Sequence, residues 1–122
     1  MVSKYSIAAV VLATGLFGAM PATAQVSGEQ LFKQRCATCH AIKANAASVL
    51  GPNLAGVVGR KAGVTNYKYT PALKMSKIVW APSALDKYLA APAKMVPGTR
   101  MVIAVSDPKQ REALVGYLKT VR

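Results

Sequence analysis

The segment Cys36-Ala37-Thr38-Cys39-His40 holds both cysteines and the only histidine of this 122-residue chain. The order C-x-x-C-H is the spacing of covalent haem c attachment. On the turn at the end of a helix, the two thiols can reach the two vinyl groups of one haem, and the adjacent imidazole then faces the iron. The sequence therefore predicts one haem c, attached through Cys36 and Cys39, with His40 as an axial ligand.

Three other uses of this segment are less well supported. A thioredoxin-like redox pair needs a βαβ setting, and the sequence has no strand pattern. A zinc site needs four ligands, and the chain has no further cysteine or histidine to complete a compact set. A disulfide across two residues would be strained and has no need of His40. Haem attachment is the interpretation that uses all three side chains.

The second axial ligand cannot be another histidine, which leaves methionine, lysine, water or an open position. Met75 falls in a predicted short helix, whereas Met95 and Met101 flank Pro97-Gly98 in a segment with several helix breakers. A loop allows a side chain to turn over the second face of the haem. Methionine ligation raises the reduction potential, as it does in known haem proteins of this chemistry, and this suits an electron carrier.

The N-terminal stretch has the composition of an export signal. Lys4 gives the N-terminus a positive charge, and residues 7–20 are apolar and uncharged. Ala22 and Ala24 are small residues at the two positions that a signal peptidase recognises. The apolar run is shorter than the roughly 20 residues of a membrane-spanning helix. We expect residues 1–24 to be a secretory signal peptide cleaved after Ala24, residues 25–122 to be a single domain, and the location to be periplasmic.

The charge is strongly basic, with 16 Lys and Arg against 4 Asp and Glu and a formal net charge of +12. An exported protein meets little nucleic acid, and no aromatic stacking motif lies among the basic residues, so a nucleic-acid partner is not expected. A basic face that steers the protein onto acidic surfaces of other proteins is the better interpretation.

Helix starts are predicted at the capping pair Ser27 and Gln30, at Thr70-Pro71, at Pro82 and at Asp107-Pro108. The apolar residues that follow three of these starts at helical spacing are Leu31 and Phe32, then Leu85, Tyr88 and Leu89, and finally Leu114, Tyr117, Leu118 and Val121. The glycines and proline of residues 41–66 predict a long loop that needs something to wrap around. The pattern predicts an all-α fold with three to four helices and long loops around one haem c.

In the same order, these motifs resemble the class I c-type cytochromes, especially the mitochondrial type and its short bacterial relatives. The resemblance runs from Gly28 to Lys119. It rests on Gly28 with Phe32, Cys36 to His40, Gly51-Pro52-Asn53-Leu54, Gly59-Arg60, Tyr69, Trp80, Tyr88-Leu89, Pro97-Gly98-Thr99-Arg100-Met101 and Tyr117-Leu118.

The resemblance implies roles for individual residues around the haem. It implies that Met101, rather than Met95, is the second axial ligand. It also implies that the carbonyl of Pro52 accepts the other ring N–H of His40 and so fixes the ring. The remaining haem-binding residues that it implies are Arg60, Tyr69 and Trp80 at the buried propionates, Tyr88 beside the methionine sulfur, and Thr99.

The resemblance also implies how the terminal helices pack. Gly28 and Phe32 would lie where the first helix crosses the last, near Leu114 and Tyr117, and Gly28 would let the two backbones approach closely. Leu73 departs from the family pattern, because the mitochondrial proteins usually carry there an asparagine of a polar network near the haem. Residues 44–50 lack the lysines that those proteins have.

The function implied is a soluble, monomeric carrier of single electrons rather than an enzyme. It would carry electrons between respiratory or photosynthetic redox proteins and would not be permanently inserted in a membrane. Its partners would be a cytochrome reductase, a terminal oxidase, a reaction centre or a dehydrogenase, and they would present acidic surfaces. The candidate docking residues are Lys33, Arg35, Lys43, Lys94 and Arg100.

Two other functions compete with that of a free electron carrier. One is a haem-bearing electron-transfer subunit fixed to a specific periplasmic dehydrogenase. The other is an enzyme or gas sensor with an open iron site, which the sequence disfavours because its only histidine is used at the attachment segment.

Overall fold

The computed structural model describes residues 15–48 and 50–122. Within them the chain forms five helices: α1 (Gly28–Arg35), α2 (Pro71–Met75), α3 (Pro82–Ala90), α4 (Pro92–Met95) and α5 (Pro108–Leu118). In the same residues, β-structure amounts to one isolated antiparallel bridge between Lys61 and Val79. The predicted all-α fold class is confirmed.

Helix α1 begins at the predicted capping box. The backbone N–H of Gln30 donates to Ser27 Oγ at 3.2 Å, and the backbone N–H of Ser27 donates to Gln30 Oε1 at 3.1 Å. These reciprocal bonds satisfy donors that a helix start otherwise leaves free. The helix ends where the N–H of Cys36 donates to the carbonyl of Phe32 at 2.8 Å, so the cysteine segment follows α1 directly.

The five helices exceed the predicted three to four because α4 is a single turn. Pro92 is its first residue, and the N–H of Val96 closes the turn on the carbonyl of Pro92 at 2.9 Å. Proline supplies a helical φ and has no N–H to leave unpaired at that position. The helix breakers around Met95 and Met101 predict an irregular segment. A helix of one turn is too short to give a periodic signal in the sequence, so α4 was not predicted.

Helix α5 begins after Asp107, whose side chain accepts the N–H of Lys109 at 2.8 Å. It ends at Leu118, so the expected continuation to Val121 is wrong. The carbonyl of Val121 instead accepts the N–H of Gly56 at 3.1 Å, which ties the end of the chain to the central loop. That contact pulls the last residues out of the helical path.

Helices α1 and α5 cross at backbone contact, as predicted from Gly28. The rings of Phe32 and Tyr117 pack beside the crossing with centroids 5.7 Å apart. Helix α3 also packs on α5, and Arg111 Nε donates to Asp86 Oδ1 at 2.7 Å across that contact. These three helices form the frame that holds the loops.

The predicted signal peptide lies partly outside the described residues, since residues 1–14 are not among them. Residues 15–24 form no helix or strand, and the side chains of Leu16, Phe17 and Met20 are exposed. Within residues 15–48 and 50–122, no helix combines the length and apolar character needed to cross a bilayer. The cleavage after Ala24 stays a prediction.

Candidate functional site

A largely apolar cavity lies between α1, α3, α5 and the loops that join them. Its walls include the buried side chains of Phe32, Leu85, Leu89, Leu114 and Leu118. All ten residues predicted to bind the cofactor also line it: Cys36, Cys39, His40, Pro52, Arg60, Tyr69, Trp80, Tyr88, Thr99 and Met101. The fold therefore brings together at one site residues that are spread over about half of the chain, from Cys36 to Met101.

The cysteine segment forms a tight turn at the end of α1. The N–H groups of Cys39 and His40 both donate to the carbonyl of Cys36, at 3.0 and 2.9 Å. This turn places both thiols on the cavity, and neither is in a disulfide. Burial raises the pKa of the Cys36 thiol, and the charge of Arg35 only partly opposes this. The Cys36 thiol is therefore held protonated, and both cysteines are unpaired beside an apolar space.

The ring of His40 is fixed by the loop that follows it. His40 Nδ1 lies 2.7 Å from the carbonyl oxygen of Pro52, and because a carbonyl can only accept, Nδ1 carries the proton. Burial lowers the pKa of His40, and the bond to Pro52 only partly offsets this. The imidazole is therefore neutral near pH 7, with Nε2 unprotonated and able to bind a metal.

Gly51 explains how the loop comes so close to this ring. A Cβ atom on Gly51 would lie 2.5 Å from His40 Cε1 and 2.9 Å from Nε2. Real Cβ atoms do not approach other atoms so closely. Only glycine at this position leaves room for the ring beside the backbone.

The methionines are placed in three different environments. Met101 lines the cavity, Met95 packs against the core outside it, and the side chain of Met75 is 75% exposed. The backbone N–H of Met101 donates to Thr99 Oγ1 at 3.3 Å. Among the described methionines, Met101 is the one whose position suits a ligand inside the cavity.

Tyr88 and Thr99 form a polar pair beside Met101. Their hydroxyl oxygens are 2.6 Å apart, and Tyr88 is buried. Burial raises the pKa of the Tyr88 hydroxyl, and the hydrogen bond from Thr99 partly counters it. The Tyr88 ring also packs on Trp80, with centroids 5.0 Å apart. Thr99 Oγ1 thus joins this pair to the backbone N–H of Met101.

A second polar group of residues lies around Arg60. Arg60 Nη1 donates to the carbonyl of Ala55 and Nη2 to that of Asn53, both at 2.9 Å. Burial lowers the pKa of the guanidinium, and Tyr69 partly opposes this. The hydroxyls of Tyr69 and Thr65 are hydrogen bonded to each other. The two hydrogen bonds to backbone carbonyls fix Arg60 at the cavity wall. The remaining N–H groups of its guanidinium can donate to another group.

Tyr67 is a cavity residue that the sequence analysis missed. Its hydroxyl donates to the carbonyl of Leu50 at 2.9 Å, and its ring meets that of Tyr69 edge-on at 5.1 Å. Arg100 also ties this segment to the methionine loop, because its guanidinium donates to the carbonyl of Lys68 at 2.5 Å. Alternation in an extended segment would have placed Tyr67 on the same side as Tyr69.

The donor set and the shape of the cavity fit a haem c. Two unpaired thiols lie next to a neutral imidazole whose Nε2 is free, and a thioether lines the same apolar space. The close approach of Gly51 holds the imidazole in place, as an axial ligand requires. A haem would supply the apolar contacts that these loops lack among themselves.

The mouth of the cavity is basic and partly apolar. Arg35 and Arg100 line it and are exposed. Three exposed apolar side chains also line it: Leu50 at 65%, Val102 at 88% and Ile103 at 45% exposure. No acidic residue occurs between positions 30 and 85 of the sequence. The region around the mouth therefore combines positive charge with accessible apolar surface.

Comparison with known proteins gives a consistent result. The sequence profile of the Cytochrome c family matches residues 25–122. The chain is 40% identical over 105 residues to cytochrome c of Guizotia abyssinica, covering 84% of this chain and 95% of the relative. It is 45% identical over 93 residues to cytochrome c of Theileria annulata, covering 75% of this chain and 81% of the relative.

A solved structure shares both sequence and fold. Cytochrome cH from Methylobacterium extorquens is 43% identical and superposes with a TM-score of 0.70, covering 76% of this chain and 94% of that one. Profile, relatives and solved structure all agree with the cavity chemistry described above. The chain therefore belongs to the cytochrome c family, as a mono-haem electron carrier whose haem c is bound covalently through Cys36 and Cys39.

Proposed function

We propose that this protein is a periplasmic carrier that shuttles single electrons between respiratory or photosynthetic redox proteins, with His40 and Met101 as the axial ligands of its haem. The observation that carries the ligand assignment is that, of the described methionines, Met101 alone lines the cavity that His40 lines. A histidine and a methionine together leave no open position on the iron. The carrier would therefore accept and donate electrons without binding a substrate.

The bound haem supplies the one-electron chemistry, and the protein residues set its surroundings. The bond from His40 Nδ1 to Pro52 would keep Nε2 available as a ligand and would increase its basicity. Arg60, Tyr69 and Trp80 would donate to the propionates, because buried carboxylates need charged or polar donors. The Tyr88–Thr99 pair would hold the Met101 loop through the backbone N–H of Met101.

The basic mouth would provide the docking face. Lys33, Arg35, Lys43, Lys94 and Arg100 are exposed, and we propose that they meet acidic surfaces of the partner. Charge attraction of this kind speeds encounter and leaves the complex weak, as repeated electron delivery requires. The exposed Val102 and Ile103 would supply short apolar contacts at the centre of that face.

Export would be directed by residues 1–24. The support is the charge of Lys4, the uncharged apolar run that follows and the small residues Ala22 and Ala24. Intact mass of the protein isolated from a bacterial periplasm tests this proposal. A mature chain that begins at Gln25 supports it, and a chain that retains the apolar run contradicts it.

The first test of the ligand assignment is the visible absorption spectrum of the periplasmically matured protein, oxidised and reduced, with and without carbon monoxide. A low-spin spectrum that carbon monoxide does not change would support a closed site with His40 and Met101. A shift on addition of carbon monoxide would show an open or easily displaced position. That outcome would reject the proposed ligand pair and favour a sensor or an enzyme.

A salt series tests the docking proposal. Electron transfer to an acidic redox partner should slow as ionic strength rises, because exposed charges are screened beyond about 10 Å at 0.1 M salt. A rate that does not respond to salt, together with a stable complex on native purification, would contradict a free carrier. It would favour the fixed subunit of a dehydrogenase.

A further inference from the structure

The residue that follows the proposed cleavage site is a glutamine, Gln25. Residues 15–27 form no helix or strand, and Gln25 and Val26 are both exposed. Helix α1 begins at Gly28, so Gln25 lies outside its hydrogen-bonded turns. Cleavage after Ala24 would therefore leave a glutamine with a free α-amine at the start of the chain, in an exposed and irregular segment.

A glutamine at the start of a chain carries both reactants of a cyclisation. Its α-amine can attack its own side-chain amide carbon, Cδ, to give the five-membered lactam called pyroglutamate. The new bond joins the α-nitrogen to Cδ, the bond from Cδ to Nε2 breaks, and the proton lost by the amine leaves with Nε2 as ammonia. Because amine and amide belong to one residue, no second reactant has to be brought into place.

The hydrogen bonds that begin α1 leave Gln25 able to react. The capping box joins Ser27 and Gln30 through bonds of 3.1 and 3.2 Å, and the N–H of Leu31 donates to the carbonyl of Ser27 at 2.9 Å. Ring closure changes only the amine and the side chain of residue 25. The start of α1 therefore does not have to open for the lactam to form.

The charge of the new α-amine would lie close to the start of α1. The N-terminal end of a helix carries a partial positive charge, so an ammonium group near it is unfavourable. Glu29 is the acidic residue of the first turn, but its Oε1 is already paired with Lys33 Nζ at 2.7 Å. Formation of the lactam removes the ammonium charge, because a lactam nitrogen is neutral.

We propose that Gln25 is converted to pyroglutamate after export, and that the loss of the α-ammonium charge stabilises α1. The inference rests on the cleavage after Ala24 proposed above, and not on the axial ligands or the redox partners. The lactam also blocks aminopeptidases that need a free α-amine. Such protection matters at this end of the chain, because exposed and irregular termini are where proteolysis begins.

Intact mass and Edman sequencing of the holoprotein isolated from a bacterial periplasm test the modification. We expect a chain of residues 25–122 that is lighter by one molecule of ammonia and that resists Edman degradation until pyroglutamate aminopeptidase removes its first residue. A chain of residues 25–122 that keeps its full mass and a free amine after prolonged incubation would overturn this proposal and leave the export proposal standing. A chain that begins at another residue would overturn both.

The matched control is Gln25→Asn, which keeps a side-chain amide and the same charge but has one methylene group fewer. Attack of its α-amine on the side-chain amide would have to close a strained four-membered ring. This variant should therefore keep its full mass and a free amine under the same conditions. A blocked N-terminus in Gln25→Asn would show that the block is not a lactam and would overturn the proposal.

Urea unfolding of the cyclised protein and of Gln25→Asn tests the effect on α1. At low ionic strength the unfolding equilibrium constant of the cyclised protein should be smaller by about two- to fivefold, the range expected for one charge near a helix terminus. In 1 M salt the difference should largely disappear, because charges are then screened beyond about 3 Å. Equal stability at low ionic strength, or a difference that salt does not change, would overturn the proposed stabilisation by charge.

Discussion

A Cβ atom placed on Gly28 would lie 2.0 Å from the carbonyl oxygen of Ala113 and 2.8 Å from Cβ of Tyr117. Helices α1 and α5 therefore touch through their backbones, and any side chain at position 28 would push them apart. The obstacle includes backbone, which cannot move aside as a flexible side chain can. This close contact holds the helix that leads into the cysteine segment.

The first prediction follows from this contact. Gly28→Ala should lower the free energy of unfolding of the holoprotein by at least about 2 kcal/mol, since overpacking of a closed contact forces the elements apart. Urea unfolding followed by circular dichroism measures it. The control is Gly116→Ala in α5, where an added Cβ meets no atom within 4 Å. This variant should raise the free energy of unfolding by about 0.5–1 kcal/mol, because alanine favours a helix more than glycine does. Equal changes in both variants would contradict the prediction.

A second prediction concerns Gly51. Gly51→Ala should displace the His40 ring, because the new Cβ would lie within 3 Å of three ring atoms. We expect a weaker iron–histidine bond, seen as a carbon monoxide-sensitive spectrum or a smaller yield of matured protein. Gly116→Ala, which carries the same substitution away from the cavity, should keep the native spectrum and yield. A native spectrum in Gly51→Ala would mean that the loop relaxes without moving the ring.

The contrast between Met101 and Met95 gives a third prediction. Met101→Ala should make the iron bind carbon monoxide and lower the reduction potential, because a thioether ligand favours the reduced state. Met95→Ala should lower the free energy of unfolding by about 0.5–3 kcal/mol, because Met95 is partly buried against the core, yet it should keep the closed-site spectrum. An unchanged spectrum in Met101→Ala would remove this residue from the iron site.

The Tyr88–Thr99 hydrogen bond gives a fourth prediction. Thr99→Val should cost about 1–3 kcal/mol of unfolding free energy, because it leaves the buried Tyr88 hydroxyl without its partner. Tyr88→Phe should lower the free energy of unfolding by less than Thr99→Val does. Once Tyr88 is replaced by phenylalanine, adding Thr99→Val should lower it little further. A double-mutant cycle of urea unfolding measures the coupling. Additive effects would show that the two hydroxyls do not act as a pair.

A fifth prediction concerns Arg111, which joins α5 to α3 and to the segment before α5. Its Nε donates to Asp86, and its Nη1 donates to the carbonyls of Val105 and Ser106 at 2.9 and 2.8 Å. Arg111→Met should lower the unfolding free energy by about 1–3 kcal/mol, because several charge-assisted bonds are lost together. Lys109→Met, at an exposed position of the same helix, should change it by less than about 0.5 kcal/mol. Similar losses in both would contradict a specific role.

Much of this fold could be predicted because the decisive signals are local. The capping box at Ser27 and the prolines at positions 71, 82 and 108 mark four of the five helix starts. Helix α4 was missed because one turn is too short to show a period. The end of α5 was misplaced because the partner of Val121 is Gly56, which is distant in sequence.

The candidate site was predicted from motif order rather than from periodicity. The ten residues named from the motifs do share one cavity. Tyr67 was missed because its hydrogen bond goes to Leu50, whose place beside it depends on the path of the whole central loop. The role of Gly51 beside His40 likewise depends on a tertiary approach that no local rule predicts.

The Gly28–Ala113 contact also bears on the order in which the chain folds. Its two partners lie near opposite ends of the domain, so it closes a very long loop, and contacts of high sequence separation slow folding. Once closed, the α1–α5 crossing should be the last part of the molecule to open. Native-state amide exchange should therefore be slowest in these two helices and fastest in residues 41–48 and 50–66, the long loop that the sequence predicts to wrap around the haem.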